Sequence, residues 1–279
     1  MFLIILFFLL FFFISFDCVL AYKIFLVSSE ENYGKIGKEK NFYLGKVEPS
    51  FGILFDLKVP SEFFLLTPQK KREKITLLRR EFKDPRTNVN KIGYELKLIP
   101  KEKGDHLICV ETQPFLIPEN KLRKAYLKTS WHVELEKGWD HLCGFELEIK
   151  PFTRPYGLKT GEIFWGQVWY KNQPLKEGVI EVEKFSPHFL TLEELPKDSF
   201  GDINYPLLKK KIRLAKNGFF VVNFEEPGWW VISIKVNRGT QFYGNQNYPL
   251  EIMTELWLYI FPSKREAKET LEYFFPKSN

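Results

Sequence analysis

The sequence is poor in the residues and motifs that most often carry chemistry. Its 279 residues include only three cysteines, two methionines and four histidines. It lacks the Gly-x-Ser-x-Gly elbow of serine hydrolases, the His-Glu-x-x-His of zinc proteases, a phosphate-binding glycine loop and a dinucleotide fingerprint. The Cys-x-x-Cys spacing of redox and zinc motifs is also missing. We therefore predict that the protein is not an enzyme.

The first 21 residues have the pattern of a secretory signal. Residues 1–16 are apolar apart from Ser15, a run shorter than the roughly 20 residues of a membrane span but typical of a signal core. Ala21 offers signal peptidase a small residue, so we expect cleavage before Tyr22 and a periplasmic or otherwise extracytoplasmic protein. Because no Lys or Arg precedes the apolar run, an uncleaved N-terminal membrane anchor is the alternative.

The charge balance argues against a nucleic-acid partner. After residue 21, 41 Lys and Arg stand against 34 Asp and Glu, because the signal contains one acid and no base. The basic residues are interspersed with acids, which is typical of solvated loops and strand edges. Nucleic-acid binding would require a basic stripe on a recognisable module. Weak contact with an anionic membrane surface is compatible with this excess charge.

Cys109 and Cys143 are the two cysteines that follow the signal. In an exported protein such a pair favours a single disulfide, and two buried thiols are the alternative.

Short apolar bursts separated by Pro, Gly and Asn indicate strands along most of the remaining chain. Strands at this spacing favour sandwiches over βαβ units. We predict an all-β protein with two β-sandwich domains of immunoglobulin or transthyretin type, residues 22–150 and 151–262. The boundary falls at Pro151, where further Pro and Gly residues follow closely.

Two helices are expected beside these strands. Between residues 118 and 135, Leu122, Ala125 and Tyr126 fall at helical spacing, which predicts a short helix. The tail, residues 263–279, places apolar residues opposite charged ones and predicts an amphipathic helix.

Two turns are specified by their residue types. Asn217 and Gly218 tolerate positive φ, so they predict a type I′ hairpin between the flanking strands. Gly228 allows a tight turn, after which Trp229 and Trp230 should point to opposite faces of one strand.

These turns, in order, carry a family resemblance. Residues 171–183, 216–224 and 227–234 resemble the transthyretin-like or carboxypeptidase-regulatory type of sandwich. With residues 144–151 and 158–162 they are similar to the DUF4198 family of exported bacterial proteins. The resemblance implies a periplasmic accessory role in nickel or cobalt uptake, beside a membrane transporter complex. Many members have a histidine directly after the signal, where this chain has Tyr22, so no metal role is carried over to that position.

The weak candidates for a metal site are His132, Glu134 and His141. On a strand, His132 and Glu134 would share a face, and imidazole with carboxylate suits nickel, cobalt or zinc. An ordinary polar face explains the same pattern, so no metal ligand is assigned.

Two functions therefore remain in competition. The first is a periplasmic accessory or binding protein that supports nickel or cobalt uptake. The alternative is a structural or adhesion-like module that binds a protein or a glycan without metal. Four tryptophans, at positions 165, 169, 229 and 230, could form a sugar-stacking platform, although core packing is the favoured interpretation. Glu181 and Glu183 should share the solvent face of a strand.

Overall fold

The computed structural model describes residues 22–188, 190–191 and 193–263. It is 56% strand and 3% helix, which confirms the all-β prediction. The predicted signal, residues 1–21, and all but the first residue of the predicted helical tail lie outside the described residues. No helix within the described ranges has the length and apolar character that crossing a membrane demands.

The strands divide the described chain as follows. The first group is β1 (Lys23–Ser28), β2 (Tyr33–Gly34), β3 (Lys40–Glu48), β4 (Ile53–Phe55), β5 (Glu62–Leu66), β6 (Arg72–Lys74), β7 (Leu77–Lys83), β8 (Asn90–Leu98), β9 (Gly104–Glu111), β10 (Phe115–Ile117) and β11 (Lys121–Val133). The second group is β12 (Leu147–Pro151), β13 (Leu158–Lys159), β14 (Ile163–Tyr170), β15 (Gln173–Pro174), β16 (Val179–Lys184), β17 (Lys209–Arg213), β18 (Phe219–Asn223), β19 (Gly228–Tyr243) and β20 (Gln246–Phe261). One helical turn, α1 (Tyr205–Leu208), precedes β17.

These strands form three sheets. The central sheet has eleven strands in the order β17-β16-β19-β20-β11-β9-β5-β6, with β2, β10 and β13 paired at its margins. A five-stranded sheet, β1-β3-β8-β7 with β4, contributes to the core on one face of the central sheet. A four-stranded sheet, in which β12, β15 and β18 all pair with β14, contributes to the core on the other face.

Alternation along β19 shows how one strand serves two cores. Trp229 and Val231 pack with the five-stranded sheet, whereas Trp230 and Ile232 pack with the four-stranded sheet. Successive side chains of a strand point to opposite faces, so a strand between two layers must be apolar at consecutive positions. The predicted separation of Trp229 from Trp230 is confirmed.

The helix predicted between residues 118 and 135 is wrong, because this segment contains the whole of strand β11. Leu122 and Tyr126 face one core, while Ala125 and Leu127 face the other. A strand buried on both faces presents apolar residues three and four positions apart, which imitates the pattern of a helix.

The turn at Asn217 has the predicted backbone conformation, but it does not join two paired strands as the predicted hairpin would. Asn217 and Gly218 have φ values of 63° and 78°, as the residue types require. However, β17 pairs with β16 in the central sheet, whereas β18 pairs with β14 in the four-stranded sheet. The turn therefore carries the chain between layers instead of closing a hairpin.

The division into residues 22–150 and 151–262 stays a prediction. β12 runs through the predicted boundary, and β11 pairs in parallel with β20, so the central sheet takes strands from both segments.

Candidate functional site

The four-stranded sheet has an outer face that is unusually apolar for a surface. In β14, Phe164 and Val168 are buried in the core, so the alternate positions 163, 165 and 167 point to the other face. Ile163 and Trp165 remain 61% and 43% exposed on that outer face. Contiguous exposed apolar surface of this kind often marks a binding site.

β18 extends this outer face. Phe220 and Val222 are buried, which turns Phe219 and Val221 outward beside β14. Gly166 makes this packing feasible, because a Cβ there would lie 2.7 Å from the Phe220 ring. Packing of the buried residues Phe220 and Val222 thus fixes the positions of the outward-facing Phe219 and Val221.

Three rings on this face form a cluster that we call the aromatic platform: Phe152, Trp165 and Phe219. The Phe152 and Trp165 rings are stacked, with centroids 5.2 Å apart and planes 28° apart. The Phe219 centroid lies 5.5 Å from that of Phe152 and 5.6 Å from that of Trp165. Phe152 is 39% exposed, so two of the three rings present open surface.

Backbone hydrogen bonds hold the platform in place. The N–H groups of Phe152 and Thr153 both donate to the Trp165 carbonyl, at 2.8 and 3.0 Å. In return the Trp165 N–H donates to Thr153 Oγ1 at 2.9 Å. This irregular pairing joins the end of β12 to β14 and orients the two stacked rings.

Polar groups border the platform. Lys150 Nζ lies 5.5 Å from the Phe152 ring and 5.8 Å from the Trp169 ring. Gln167 accepts a hydrogen bond from Trp169 Nε1 at 2.9 Å and donates to the Asn217 carbonyl at 2.7 Å. The Gln167 amide therefore supports the face from within, whereas the Lys150 amine is the polar group beside the stacked rings. Stacked rings flanked by a cation can bind a ligand that has both C–H faces and hydroxyl edges.

Of the four tryptophans considered from sequence, two are in cores and two are on this face. Trp229 and Trp230 are nearly buried, as the core interpretation expects, while Trp165 and the half-buried Trp169 lie on the outer face. Sequence reasoning missed Phe152 and Phe219. The alternation of residues 219–223 was a signal for Phe219, but nothing local places Phe152 beside it.

The structure places His132 next to a residue that was not a candidate. His132 Nδ1 lies 2.7 Å from Asp105 Oδ1, and Asp105 is fully buried. Asp105 also accepts hydrogen bonds from the Tyr156 hydroxyl at 3.0 Å and the Lys137 N–H at 2.8 Å. Burial, with the nearby Asp105 carboxylate, raises the pKa of Tyr156 far above its ordinary value. This network therefore ties β9, β11 and the segment before β13 together.

Glu134 and His141 do not join His132. β11 ends at Val133 and Glu134 has a φ of 57°, so the expected shared strand face does not form. Glu134 instead pairs with Lys103 at 2.8 Å, and burial lowers the pKa of His141. In the ranges that the structure describes, no three His, Cys, Asp or Glu side chains are grouped as metal ligands.

Cys109 and Cys143 form a disulfide, with Cα atoms 6.0 Å apart. It lies in a small apolar cluster with Phe64, Leu66 and Leu107, and it attaches the loop after β11 to β9.

Comparison with known proteins identifies the family. The model described as "Domain of unknown function (DUF4198)" matches residues 32–238. The chain belongs to the DUF4198 family. The match covers the platform and the central sheet apart from β20 and the end of β19, and it confirms the resemblance of the sequence motifs to this family. No curated protein matches the chain.

The similar solved structures resemble this DUF4198 member only weakly. Salmonella alpha-2-macroglobulin reacted with methylamine is 14% identical over 87% of this chain, with a TM-score of 0.25. A point mutant of the same protein is also 14% identical over 87% of this chain, with a TM-score of 0.23. The chain spans 15% of the length of those structures, and similarity at this level supports no statement about function.

Proposed function

We propose that the protein is an exported, non-enzymatic binding module that uses the aromatic platform to hold a glycan. The observation that carries the proposal is the stacked, exposed pair of Phe152 and Trp165 on a rigid sheet face. Sugar rings present flat C–H faces that pack on aromatic rings, while their hydroxyl groups bond to polar groups at the edge. Lys150 occupies that edge.

The fold supports this use of the surface. We infer that residues 151–262 form a transthyretin-like sandwich together with the neighbouring strands, and that the signal delivers it to the extracytoplasmic space. Such a sandwich presents β14 and β18 as a continuous, preformed surface, so binding costs little ordering of the protein. A pre-organised face on regular strands suits a ligand that is long and repetitive.

Nickel or cobalt uptake is the competing function, and it rests on the family resemblance. The observed surface favours glycan binding over it, because the platform is assembled and exposed whereas His132 is engaged by Asp105. Both functions are compatible with a protein that acts outside the cytoplasm and binds without catalysis.

Affinity electrophoresis through gels containing soluble polysaccharides, followed by calorimetry, tests the proposal on the chain lacking residues 1–21. We expect retardation by at least one polysaccharide, and we expect Trp165→Ala to weaken binding about tenfold or more, equivalent to about 1.4 kcal/mol. The matched controls are Phe200→Ala and Phe242→Ala, whose rings are 88% and 65% exposed and are not members of the platform. Both should bind as the parent protein does.

Two results would overturn the proposal. The first is no retardation by any polysaccharide in a panel of neutral, acidic and amino-sugar polymers. The second is an equal loss in Trp165→Ala and Phe242→Ala, which would show non-specific adhesion. Calorimetric nickel or cobalt binding that disappears in His132→Ala and His141→Ala, but not in Trp165→Ala, would favour the uptake function instead.

A further inference from the structure

A cleft opens between the five-stranded sheet and the part of the central sheet where β16 ends and β19 begins. Its volume is about 610 Å³, within the range of about 300–1,000 Å³ that small-molecule sites occupy. Phe25, Tyr43 and Phe82 line it from the five-stranded sheet, and Phe185 and Trp229 line it from the central sheet. We call it the aromatic cleft.

Two strand glycines seat the rings on the five-stranded sheet. Gly45 is the cross-strand partner of Phe25, and a Cβ at Gly45 would lie 2.4 Å from the Phe25 ring. A Cβ at Gly93 would likewise lie 2.4 Å from the Phe82 ring. The Phe82 centroid is 5.7 Å from that of Phe25 and 6.0 Å from that of Tyr43. Glycine inside a strand often marks such a close approach, so these rings lie close against their sheet.

Hydrogen bonds fix the opposite side of the aromatic cleft and engage its polar groups. Trp229 Nε1 donates to the Ser28 carbonyl at 3.1 Å, and the Phe185 N–H donates to the Trp229 carbonyl at 2.9 Å. Ser186 Oγ donates to the His188 carbonyl at 2.8 Å. A peptide or a sugar in the aromatic cleft would therefore find few partners for its own polar groups, which is costly for buried groups.

The charged side chains of the aromatic cleft have one sign. Lys83 and Lys184 are among its described lining residues, whereas no Asp or Glu is. Lys184 pairs with Glu226, but Lys83 forms no ion pair within the described ranges. The neighbouring Asp84 carboxylate accepts the Thr87 hydroxyl at 2.8 Å. Apolar walls with an unpaired cation favour a ligand that is an apolar chain with one anionic end.

We propose that the aromatic cleft binds one free fatty acid, with its acyl chain against the rings and its carboxylate beside Lys83. Burial of the methylene groups drives binding. Lys83 is exposed, so its ammonium sets the preference for an anionic head group more than it adds affinity. The aromatic cleft and the aromatic platform lie on opposite sides of the central sheet, so this proposal does not depend on glycan binding.

Calorimetry at pH 7.5 on the chain lacking residues 1–21 tests the proposal with octanoate, decanoate and dodecanoate, each below its micelle concentration. We expect one molecule per chain and about tenfold tighter binding for each two added methylene groups. Decyltrimethylammonium should bind more weakly than decanoate by about fivefold or more. Trp165→Ala, which alters only the aromatic platform, should bind decanoate as the parent protein does.

Two variants locate the bound acid. Lys83→Glu should weaken decanoate binding by about fivefold or more without weakening the binding of decyltrimethylammonium. The matched control is Lys38→Glu, which reverses an exposed charge outside the aromatic cleft and should change neither affinity. 11-Bromoundecanoate, whose bromine quenches indole fluorescence on contact, should quench part of the tryptophan emission. Most of that quenching should disappear in Trp229→Phe.

Several results would overturn the proposal. They are no binding of any of the three acids, an affinity that does not change with chain length, and an equal loss in Lys83→Glu and Lys38→Glu. Binding that appears only after deletion of residues 264–279 would make that segment the occupant instead. Attachment to phosphatidylglycerol vesicles without binding of the free acids would indicate a membrane contact, and a dimer that dissociates in Lys83→Glu would indicate a second copy of the chain.

Discussion

The two faces of the central sheet differ in the side chains that strands β16, β19 and β20 bury on them. Toward the four-stranded sheet, β16, β19 and β20 present almost only apolar side chains, such as Ile180, Ile232 and Leu256. Toward the five-stranded sheet, the alternate positions of these strands carry apolar residues such as Val231 and Trp257. The same face also carries five polar residues: Glu181, Glu183, Ser233, Glu251 and Glu255. We call these surfaces the apolar face and the charged face.

Lys23 organises the charged face. Its Nζ donates to Ser233 Oγ at 2.7 Å and lies 3.2 Å from Glu181 and 3.4 Å from Glu183. Burial disfavours the ammonium, but the facing carboxylates, Glu183 first, more than offset this and raise the pKa of Lys23. Glu255 accepts the N–H of Ile24, the next residue in β1.

The apolar face and the charged face contribute differently to the fold. Apolar burial is non-directional and supplies stability wherever shapes fit. A buried ion network adds little net stability, but it requires one alignment, because a displaced charge would lose its partners. We infer that the charged face fixes the position of β1, which belongs to the five-stranded sheet, against the central sheet.

Removing the buried cation should be the most damaging single change. Lys23→Met removes the cation nearest to Glu255 and leaves Glu181 and Glu183 with Lys209 alone as an ion-pair partner. We therefore expect a loss of about 3–5 kcal/mol in the free energy of unfolding. Urea denaturation followed by tryptophan fluorescence measures this loss. The exposed Lys38→Met should change stability by less than about 0.5 kcal/mol.

A compensated variant distinguishes an alignment role from a stabilising one. Lys23→Met combined with Glu183→Met and Glu255→Gln removes the uncompensated charges and should recover most of the loss. If this variant stays as unstable as Lys23→Met alone, packing of the lysine stem and not its charge supports the charged face.

The apolar face should respond to cavity formation instead. Ile232 is fully buried between the central and four-stranded sheets, so Ile232→Ala should cost about 3 kcal/mol, within the usual range of about 2–5. The same urea titrations apply. Val221→Thr, on the outer face of the neighbouring sheet, keeps the β-branch and should change stability by less than about 0.5 kcal/mol. Equal effects of the two changes would contradict the layered arrangement.

Sequence reasoning worked where the signal was local. Gly228 followed by Trp229 and Trp230 specified a turn and a two-sided strand, and Asn217 specified a positive φ, because both depend on a few adjacent residues. The charged face could not be predicted. Glu181 and Glu183 alternate with apolar residues as a solvated strand would, and the solvent-face interpretation is wrong for Glu183, which is fully buried. Its partner Lys23 lies far away in sequence.

For the candidate site, too, local sequence indicated single residues but not their partners. Trp165 was a candidate by residue type, but the aromatic platform requires Phe152 and Phe219, which meet only because β12 and β18 both reach β14. His132 was a candidate for its neighbours in sequence, yet its true partner, Asp105, comes from the adjacent strand. Pairing between distant strands, which residue patterns do not record, decided both cases.

The smallest expected effect is a pH dependence confined to the charged face. Burial raises the pKa of Glu255 to about 7 from 4.5, although Lys23 opposes the shift. Between these pH values the folded protein holds a proton that the unfolded chain has released, so stability is full below pH 4.5 and falls as pH rises toward 7. Glu181 acts in a different window, because Lys23 and Lys209 outweigh the effect of burial and lower its pKa to about 2. Its contribution is lost only as pH falls below about 4.5.

Urea titrations at pH 5 and pH 7.5 should therefore show a loss of about 1–3 kcal/mol at the higher pH. Glu255→Gln keeps an acceptor for the Ile24 N–H but cannot ionise, so it should flatten this dependence. Ile232→Ala, on the apolar face, should lower stability equally at both pH values and leave the slope as in the parent protein. A slope that survives in Glu255→Gln would assign the titration to another group and would remove the distinction between the two faces.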